Sequence, residues 1–500
     1  MIYSGDVYRD FEKWIDDLKT EIINNISFHK YFSPEETTSR ALQIFTELTT
    51  NDYSLSQSKN NFHLTKKYGP FIIKRGSIRL SLKSRILFNG IFFLESVYFL
   101  LQIFKGIFNF KKKKKGKYTV LIEPPIIDTT DNLKKFLKQT KISALNNTDF
   151  LIIKKRNLPQ NDASKLIFKS SPWNYIIDSN FSALDRFLIV LKFIFFTISS
   201  FYYLNRSPLN ILFYKDLSHS FSIHLLNQRN LLQDIFITNS SYLVQPLWLR
   251  GLKNKNFKSN MIWYSQNFIP KFYRGESEQS YLPGTNKIRI DHHLVWTKKF
   301  GEMLKKKNPS CDYTAIGSIL FYPFEIKPKT TREYIVIFDV IPFKLQEKIF
   351  FGATYNYYSD ETIKAFVFDI VTTVEEINNA YDKQVEVILK TKRPKNNFHS
   401  DKYFQFIEKL RLIHPIFKIV DSQLNIYGLI KESSAVFSVP FTSTAEVGYE
   451  MKIPSFFYDA SNKINTNKET QHIPMLFNKE ELKEVILESL NRSKKIKEIC

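Results

Sequence analysis

Three hydroxylated residues and an alanine, Thr442-Ser443-Thr444-Ala445, separate an apolar run ending at Val439 from a segment patterned as a helix. Such a turn offers small donors and the unsatisfied N–H groups at a helix N-terminus, where the macrodipole favours an anion. The same residues would also serve as an ordinary N-cap on Thr442 or Ser443. Further upstream, "ILKTKRP" (residues 388–394) brings Lys390, Lys392 and Arg393 to the end of a strand-like run. Lysine supplies point charge and arginine forked contacts to phosphate. A solvated strand end is the plainer reading of the same residues.

Acceptor chemistry asks for different groups. "MIWYSQNFIPKFYRGE" leaves a strand through Trp263, Gln266 and Asn267, aromatic and amide groups suited to a sugar. Activating an acceptor hydroxyl needs a carboxylate or imidazole within reach. Asp291, followed by His292 and His293, is the first candidate and Glu276 the second. The alternative for Asp291 is a turn cap, and for the two histidines surface positions. No His or Cys follows His292-His293 at metal-ligand spacing, and no Gly-x-Gly-x-x-Gly, P-loop or Gly-x-Ser-x-Gly motif is present. No metal and no cofactor beyond a nucleotide-sugar co-substrate is therefore expected.

The elements that would hold these residues alternate. From Glu333 onward, strand-like runs and amphipathic segments read β-α-β-α-β-α-β-α-β, with Ser359 placed to cap the first helix. Residues 118–128, 150–155 and the apolar runs beginning at Asn210, Asp234 and Asn260 suggest a second, largely parallel sheet. The expected fold class is α/β, with two Rossmann-like domains facing a cleft and extra N-terminal helices. The expected divisions are 1–115, a helical and membrane-associating region; 116–328, an acceptor domain; and 329–500, a nucleotide-sugar domain. In open α/β sheets ligands sit beyond the carboxyl ends of the strands, so the cleft is the expected site.

Composition sets the class of partner. The chain has 500 residues, 43% hydrophobic and 15% aromatic, enough for substantial cores. Its net charge of +23 favours anionic partners, although a general excess of lysine would give the same number. Two cysteines, Cys311 and Cys500, build no disulfide framework, and the start lacks the apolar core of a signal peptide. A cytoplasmic address follows as an expectation. The segments 86–110 and 187–204 approach membrane-spanning length but carry charges, and the five lysines Lys111 to Lys115 follow the first. An interfacial contact with anionic lipid fits them, as does burial of the helices with a solvated charged loop.

The stretch "VPFTSTAEVGYEMKIPSFFYD" resembles the bacterial surface-polysaccharide proteins recognised by a Pro-Phe-Thr-Ser motif, here Pro440-Phe441-Thr442-Ser443. It also resembles the nucleotide-sugar domain of GT-B glycosyltransferases, with Lys452-Ile453-Pro454 where Gly-x-Pro is usual. A strand ending in Lys390, Lys392 and Arg393, and an acidic cluster before Val295-Trp296, match further features of the polysaccharide proteins.

The resemblance implies a metal-independent transferase that moves a sugar from a nucleotide donor to a lipid-linked or growing surface glycan. It would work at the cytoplasmic face of the inner membrane, in contact with its anionic surface. The nucleotide and phosphate would then meet Thr442, Ser443, Thr444, Lys390, Lys392 and Arg393. Cationic strand ends with hydroxyl turns are also similar to the phosphate sites of sialyl- and Kdo-transferases, which implies a CMP-linked donor. The competing readings are an epimerase of the same fold, a non-catalytic scaffold of glycan assembly, and a basic nucleic-acid-binding protein. No nucleic-acid-binding pattern supports the last.

Overall fold

The computed structural model describes residues 56–58, 61–64, 71–74, 77–80, 82–107, 117–122, 149–153, 166–168, 172–207, 210–238, 246–250, 255–263, 272–274, 290–319, 332–342, 358–395, 399–465 and 472–499. Gln266, Asn267, Glu276 and the Lys111 to Lys115 run lie outside these.

The described chain begins with an antiparallel meander of β1 (Ser56–Ser58), β2 (Asn61–Leu64), β3 (Phe71–Lys74) and β4 (Ser77–Leu80). The expectation of a helical region over 1–115 did not include it. Each strand is only three or four residues long, too short for alternation to register as a period. Helix α1 (Leu82–Ile107) follows.

The first large sheet has seven parallel strands: β5 (Tyr118–Ile122), β6 (Asp149–Ile153), β7 (Leu166–Phe168), β8 (Leu232–Thr238), β9 (Lys258–Ile262), β11 (His292–Val295) and β12 (Asp312–Ala315). Their order is β12-β11-β9-β8-β5-β6-β7. β5 and most of β8 are buried, as strands covered on both faces must be, which is why they read as continuous apolar runs. Helices α2 (Pro172–Asn180), α3 (Ala183–Arg206) and α4 (Tyr214–Gln228) connect β7 to β8. Ser182 and Asp185 close α3 with a reciprocal capping box. The run at Asn210, expected as a strand, is instead a 3-10 turn leading into α4. Helix α5 (Lys298–Lys307), capped by Thr297, joins β11 to β12.

The second large sheet has six parallel strands: β13 (Tyr334–Phe338), β14 (Glu386–Lys390), β15 (Phe417–Val420), β16 (Ala435–Ser438), β17 (Ser455–Tyr458) and β19 (Met475–Leu476). Their order is β15-β14-β13-β16-β17-β19. Helices α6 (Asp360–Tyr381), α7 (Asp401–Ile413), α8 (Ile426–Lys431) and α9 (Ser443–Glu450) link successive strands, and α10 (Lys479–Ile499) closes the chain. Ser359, Ser400 and Asn425 each accept from the first turn of the helix they precede.

In both sheets the chain runs outward on one side of its first strand and then returns to build the other side. The result is two doubly wound, Rossmann-like units of the GT-B kind, each with a topological switch point, β5/β8 and β13/β16.

Among the described residues the units meet in two places. Short strands β10 (Phe272–Tyr273) and β18 (Ile464–Asn465) pair antiparallel, and the Arg274 N–H donates to the Lys463 carbonyl at 2.7 Å. The Arg274 guanidinium lies 5.1 Å from the centre of the Phe477 ring. Elsewhere the Ser318 N–H donates to both carboxylate oxygens of Glu450, at 3.1 and 3.0 Å. Trp296 and Ile319 share one apolar cluster with Ile426 and Val447.

Candidate active site at the second switch point

The crevice between β13 and β16 is where a doubly wound sheet places a ligand, and the hydroxyl turn occupies it. β16 ends at Ser438, and the Val439 N–H still donates to the Phe338 carbonyl of β13 at 3.2 Å. The chain then turns through Pro440 and Phe441 into α9. Phe441 has φ +63°, a left-handed conformation that costs a non-glycine residue about 1–2 kcal/mol. Burial of its ring, 5.9 Å from Phe457 in centroid distance, holds it there. A second left-handed residue, Lys452 at φ +61°, stands at the corner where the resemblance leads one to expect Gly-x-Pro. The corner keeps the glycine-type backbone although the side chain differs.

Thr442 occupies the N-cap position of α9, yet its hydroxyl makes no capping bond. It donates back to the Val439 carbonyl at 2.8 Å. Thr444 Oγ1 stands 2.9 Å from Ser438 Oγ and 3.3 Å from Thr442 Oγ1. The hydroxyls brace the turn against one another and leave the first N–H groups of α9 without a side-chain cap from Thr442. The ordinary N-cap reading therefore does not hold for Thr442. The arrangement presents backbone donors and the positive end of a helix toward the crevice.

Beside it lies a buried polar cluster. Asp339, directly after β13, is 2% exposed. It accepts from the Tyr403 hydroxyl at 2.6 Å and from the Lys392 N–H at 2.9 Å. Burial pushes its carboxyl up to about 6, against the opposing pull of those two donors and of Lys390. Burial likewise brings Lys390 down to about 8, opposed by Asp339 and Asp421. Lys390 was expected to face phosphate, but its side chain is buried and its ammonium donates to the Ser422 carbonyl at 2.6 Å. Its charge is committed to the end of the β13–β15 sheet. Lys392 and Arg393 are exposed on the loop after β14.

One turn into α9, the buried Glu446 accepts from or pairs with His472 Nε2 at 3.0 Å, and the Tyr449 ring packs edge-on to that imidazole at 4.8 Å. Sequence reasoning singled out neither Asp339 nor Glu446. A signal existed for the first: Asp339 is the polar residue at the carboxyl end of β13, a wholly buried apolar strand. His472 is distant from Glu446 in sequence, and only the fold joins them.

The expected acceptor groups fall elsewhere. Asp291 precedes β11 and so lies at the amino edge of its sheet, away from the carboxyl ends that frame the crevice. It is ion-paired with Lys255 and accepts from the Ser259 N–H at 2.7 Å. Burial would raise its carboxyl, but Lys255 and Ser259 hold it below its ordinary value. A carboxylate so engaged is a poor general base.

Trp263 is 1% exposed, donates to His293 Nδ1 at 3.0 Å and meets Phe300 edge-on. It belongs to the core and not to a sugar platform. His293 is buried too, and burial lowers its imidazole to about 4. His292 contacts Asn260 and Thr314 at 3.1 and 2.9 Å. Among the described residues no group of three or more His, Cys, Asp or Glu side chains is placed to hold a metal ion.

No curated protein sequence matches the chain. Among solved structures, it is similar to the S. aureus MnaA–UDP complex (10% identity, 68% of this chain, 78% of that one, TM-score 0.34). It is also similar to the UDP-GlcNAc 2-epimerase of Methanocaldococcus jannaschii (12%, 75%, 91%, 0.38). A third similar structure is the wall teichoic acid polymerase TagF with CDPG (9%, 81%, 88%, 0.36). The family model described as polysaccharide biosynthesis PFTS motif protein matches residues 189–486, which take in both switch points' later strands and the whole of the hydroxyl turn. With Pro440-Phe441-Thr442-Ser443 at the mouth of its crevice, the chain belongs to the polysaccharide biosynthesis PFTS motif protein family.

Proposed function

We propose that this protein is a glycosyltransferase that moves a sugar from a nucleotide-sugar donor to a lipid-linked or growing surface polysaccharide, of the capsule or O-antigen type. The observation that carries this reading is the placement of the α9 N-terminus at the β13/β16 switch point, with the Thr442 hydroxyl bonded back to Val439 and not to the first turn of the helix. Backbone donors there meet the donor phosphate. As the glycosidic bond to phosphate breaks, charge grows on the leaving oxygen, and fixed N–H dipoles stabilise it more than they stabilise the ground state. Ser443 and Thr444 add hydroxyls at the same place. The exposed Lys392 and Arg393 supply long-range positive potential beside it. Because the chain's own groups neutralise the leaving phosphate, transfer proceeds without a bound cation. The working address is the cytoplasmic side of the inner membrane, where the donor is met in solution and the glycan at the surface. A CMP-linked donor is the first to test.

The test is a thermal-shift series with CMP, UDP, GDP, ADP and dTDP, with and without Mg²⁺, followed by transfer assays with the sugar of the nucleotide that binds. A ligand that binds only the folded state raises the midpoint by mass action. A shift with one nucleotide, equal in EDTA, and turnover of its sugar are expected. No shift with any of them in folded protein would leave the non-catalytic scaffold as the better reading.

A further inference from the structure

Helices α1 and α3 are apolar on both sides, and only one side of each is used by the fold. The inward stripe of α3 runs through Ile189, Val190, Phe193, Phe196 and Leu204, all in the core. The opposite stripe is Leu184, Phe187, Leu188, Leu191, Ile194, Phe195, Ile198 and Tyr202, 40–74% exposed. Its spacing of three and four residues keeps it on one face. Helix α1 repeats the pattern: Phe88, Phe92, Phe99 and Ile103 face in, while Ile86, Phe93, Leu94, Tyr98, Leu101 and Phe104 face out.

The two helices pack side by side and antiparallel. Phe99 meets Phe193 at 4.3 Å between ring centres and Phe92 meets Phe201 at 5.2 Å. Near one end Asn89 and Asn205 exchange a pair of amide hydrogen bonds, 3.0 and 3.1 Å. The outward stripes therefore join into one apolar surface, about 27 Å long at 1.5 Å per residue. A surface of that extent is not left bare to water.

We propose that this two-helix face docks onto an anionic lipid bilayer, lying in its surface plane. Neither helix can cross the bilayer without stripping its inner stripe from the core, and the buried Arg186, bound to the Phe181 carbonyl, would go with it. The charges around the face choose the occupant. Among the described side chains of the two helices, Lys83, Arg85, Lys192 and Arg206 are the exposed cations, against a single exposed acid, Glu95. The sequence then places Lys111 to Lys115 four residues after the end of α1. Apolar side chains sinking into the acyl boundary, with cations at headgroup level, are the physical signature of an interfacial helix. A second copy of the chain would bring the same cations, and a net charge of +23, against itself. The inference stands independently of the transferase reading.

The experiment is flotation of the full-length protein with vesicles of phosphatidylcholine alone and of phosphatidylcholine with phosphatidylglycerol. The wild type floats with the anionic vesicles, and roughly tenfold less with the neutral ones. Leu191→Glu with Phe195→Glu lowers anionic-vesicle partitioning by at least roughly tenfold, with an unchanged circular dichroism spectrum. Leu412→Glu, a substitution at an exposed residue on α7, leaves partitioning as in wild type. Wild-type protein that does not float, or a double variant that floats as well as wild type, overturns the proposal. So does a dimer in light scattering that the double substitution abolishes, since the occupant would then be a second copy. A nucleotide thermal shift on the same variants separates this outcome from a failure of the transferase reading.

Discussion

The three hydroxyls of the turn look equivalent in sequence, but the structure gives them different work, and this can be measured. The Thr442 proton is spent on the Val439 carbonyl, so that hydroxyl has none left for a phosphate. Thr444 Oγ1 is half-buried and faces Ser438 Oγ at 2.9 Å. When Ser438 donates, the Thr444 proton is available to an anion. Thr442→Val keeps the extended backbone of the N-cap and loses the bond to the Val439 carbonyl and the 3.3 Å contact with Thr444, ~1–3 kcal/mol of stability. Its nucleotide affinity stays within about twofold of wild type, less than the ~1.4 kcal/mol that a factor of ten requires. Thr444→Val removes a donor to a charged group, worth ~1.5–3 kcal/mol. That corresponds to a rise of roughly 10- to 150-fold in Kd. Calorimetric titration gives both affinities, and urea unfolding gives both stabilities. If Thr444→Val binds as wild type while Thr442→Val loses affinity, the roles are reversed. If both bind as wild type, the phosphate is not held at this turn.

Two further outcomes follow from packing and titration. A Cβ added at Gly448 would stand 2.2 Å from Ser455 Oγ and 3.0 Å from Val436 Cγ2, so Gly448→Ala pushes α9 off its sheet. The expected loss is ~1–3 kcal/mol, most of it recovered when Ser455→Ala is added; no recovery in the denaturant midpoint would refute the clash. His293 is held neutral by burial, with its pKa lowered to about 4. A histidine lowered in the fold contributes stability above its unfolded pKa near 6.5 and loses it as pH falls toward the folded value, by up to ~1.4 kcal/mol per pH unit. Urea midpoints should therefore fall between about pH 6.5 and 5, and His293→Gln should flatten that slope.

The second unit was legible because its strands are short, apolar and buried on both faces, and its helices begin at capping residues. Ser359 was identified as a cap from spacing alone and accepts from the Thr362 N–H at 3.2 Å. Direction along a strand was the information left unused. Asp291 was chosen for its closeness in sequence to Val295-Trp296, yet a residue preceding a parallel strand lies at the edge opposite the ligand. Lys390 shows a different failure. As the last residue of β14 it is buried, 2% exposed, whereas Lys392 lies on the loop and faces solvent. Charge type alone does not separate the two. Trp263 continues the buried run of β9 by one residue, a boundary that apolar pattern cannot fix.

The two ties between the units have a mechanical consequence. A rigid body fixed at two separate points keeps one easy rotation, about the line joining them. Among the described residues the points are Glu450 with Ser318 and β10 with β18. Swinging about that axle keeps both bonds and shears only the apolar cluster of Trp296, Ile319, Ile426 and Val447 beside Ser318, while a slide or twist across it must also break the Arg274–Lys463 backbone bond or strip Glu450 of its donor. Glu450 is the last residue of α9, whose first turn is the proposed anion site, about 12 Å away along an eight-residue rod. A tug on that turn reaches the axle through a single stiff element. Filling the crevice and setting its opening angle are then parts of one lever.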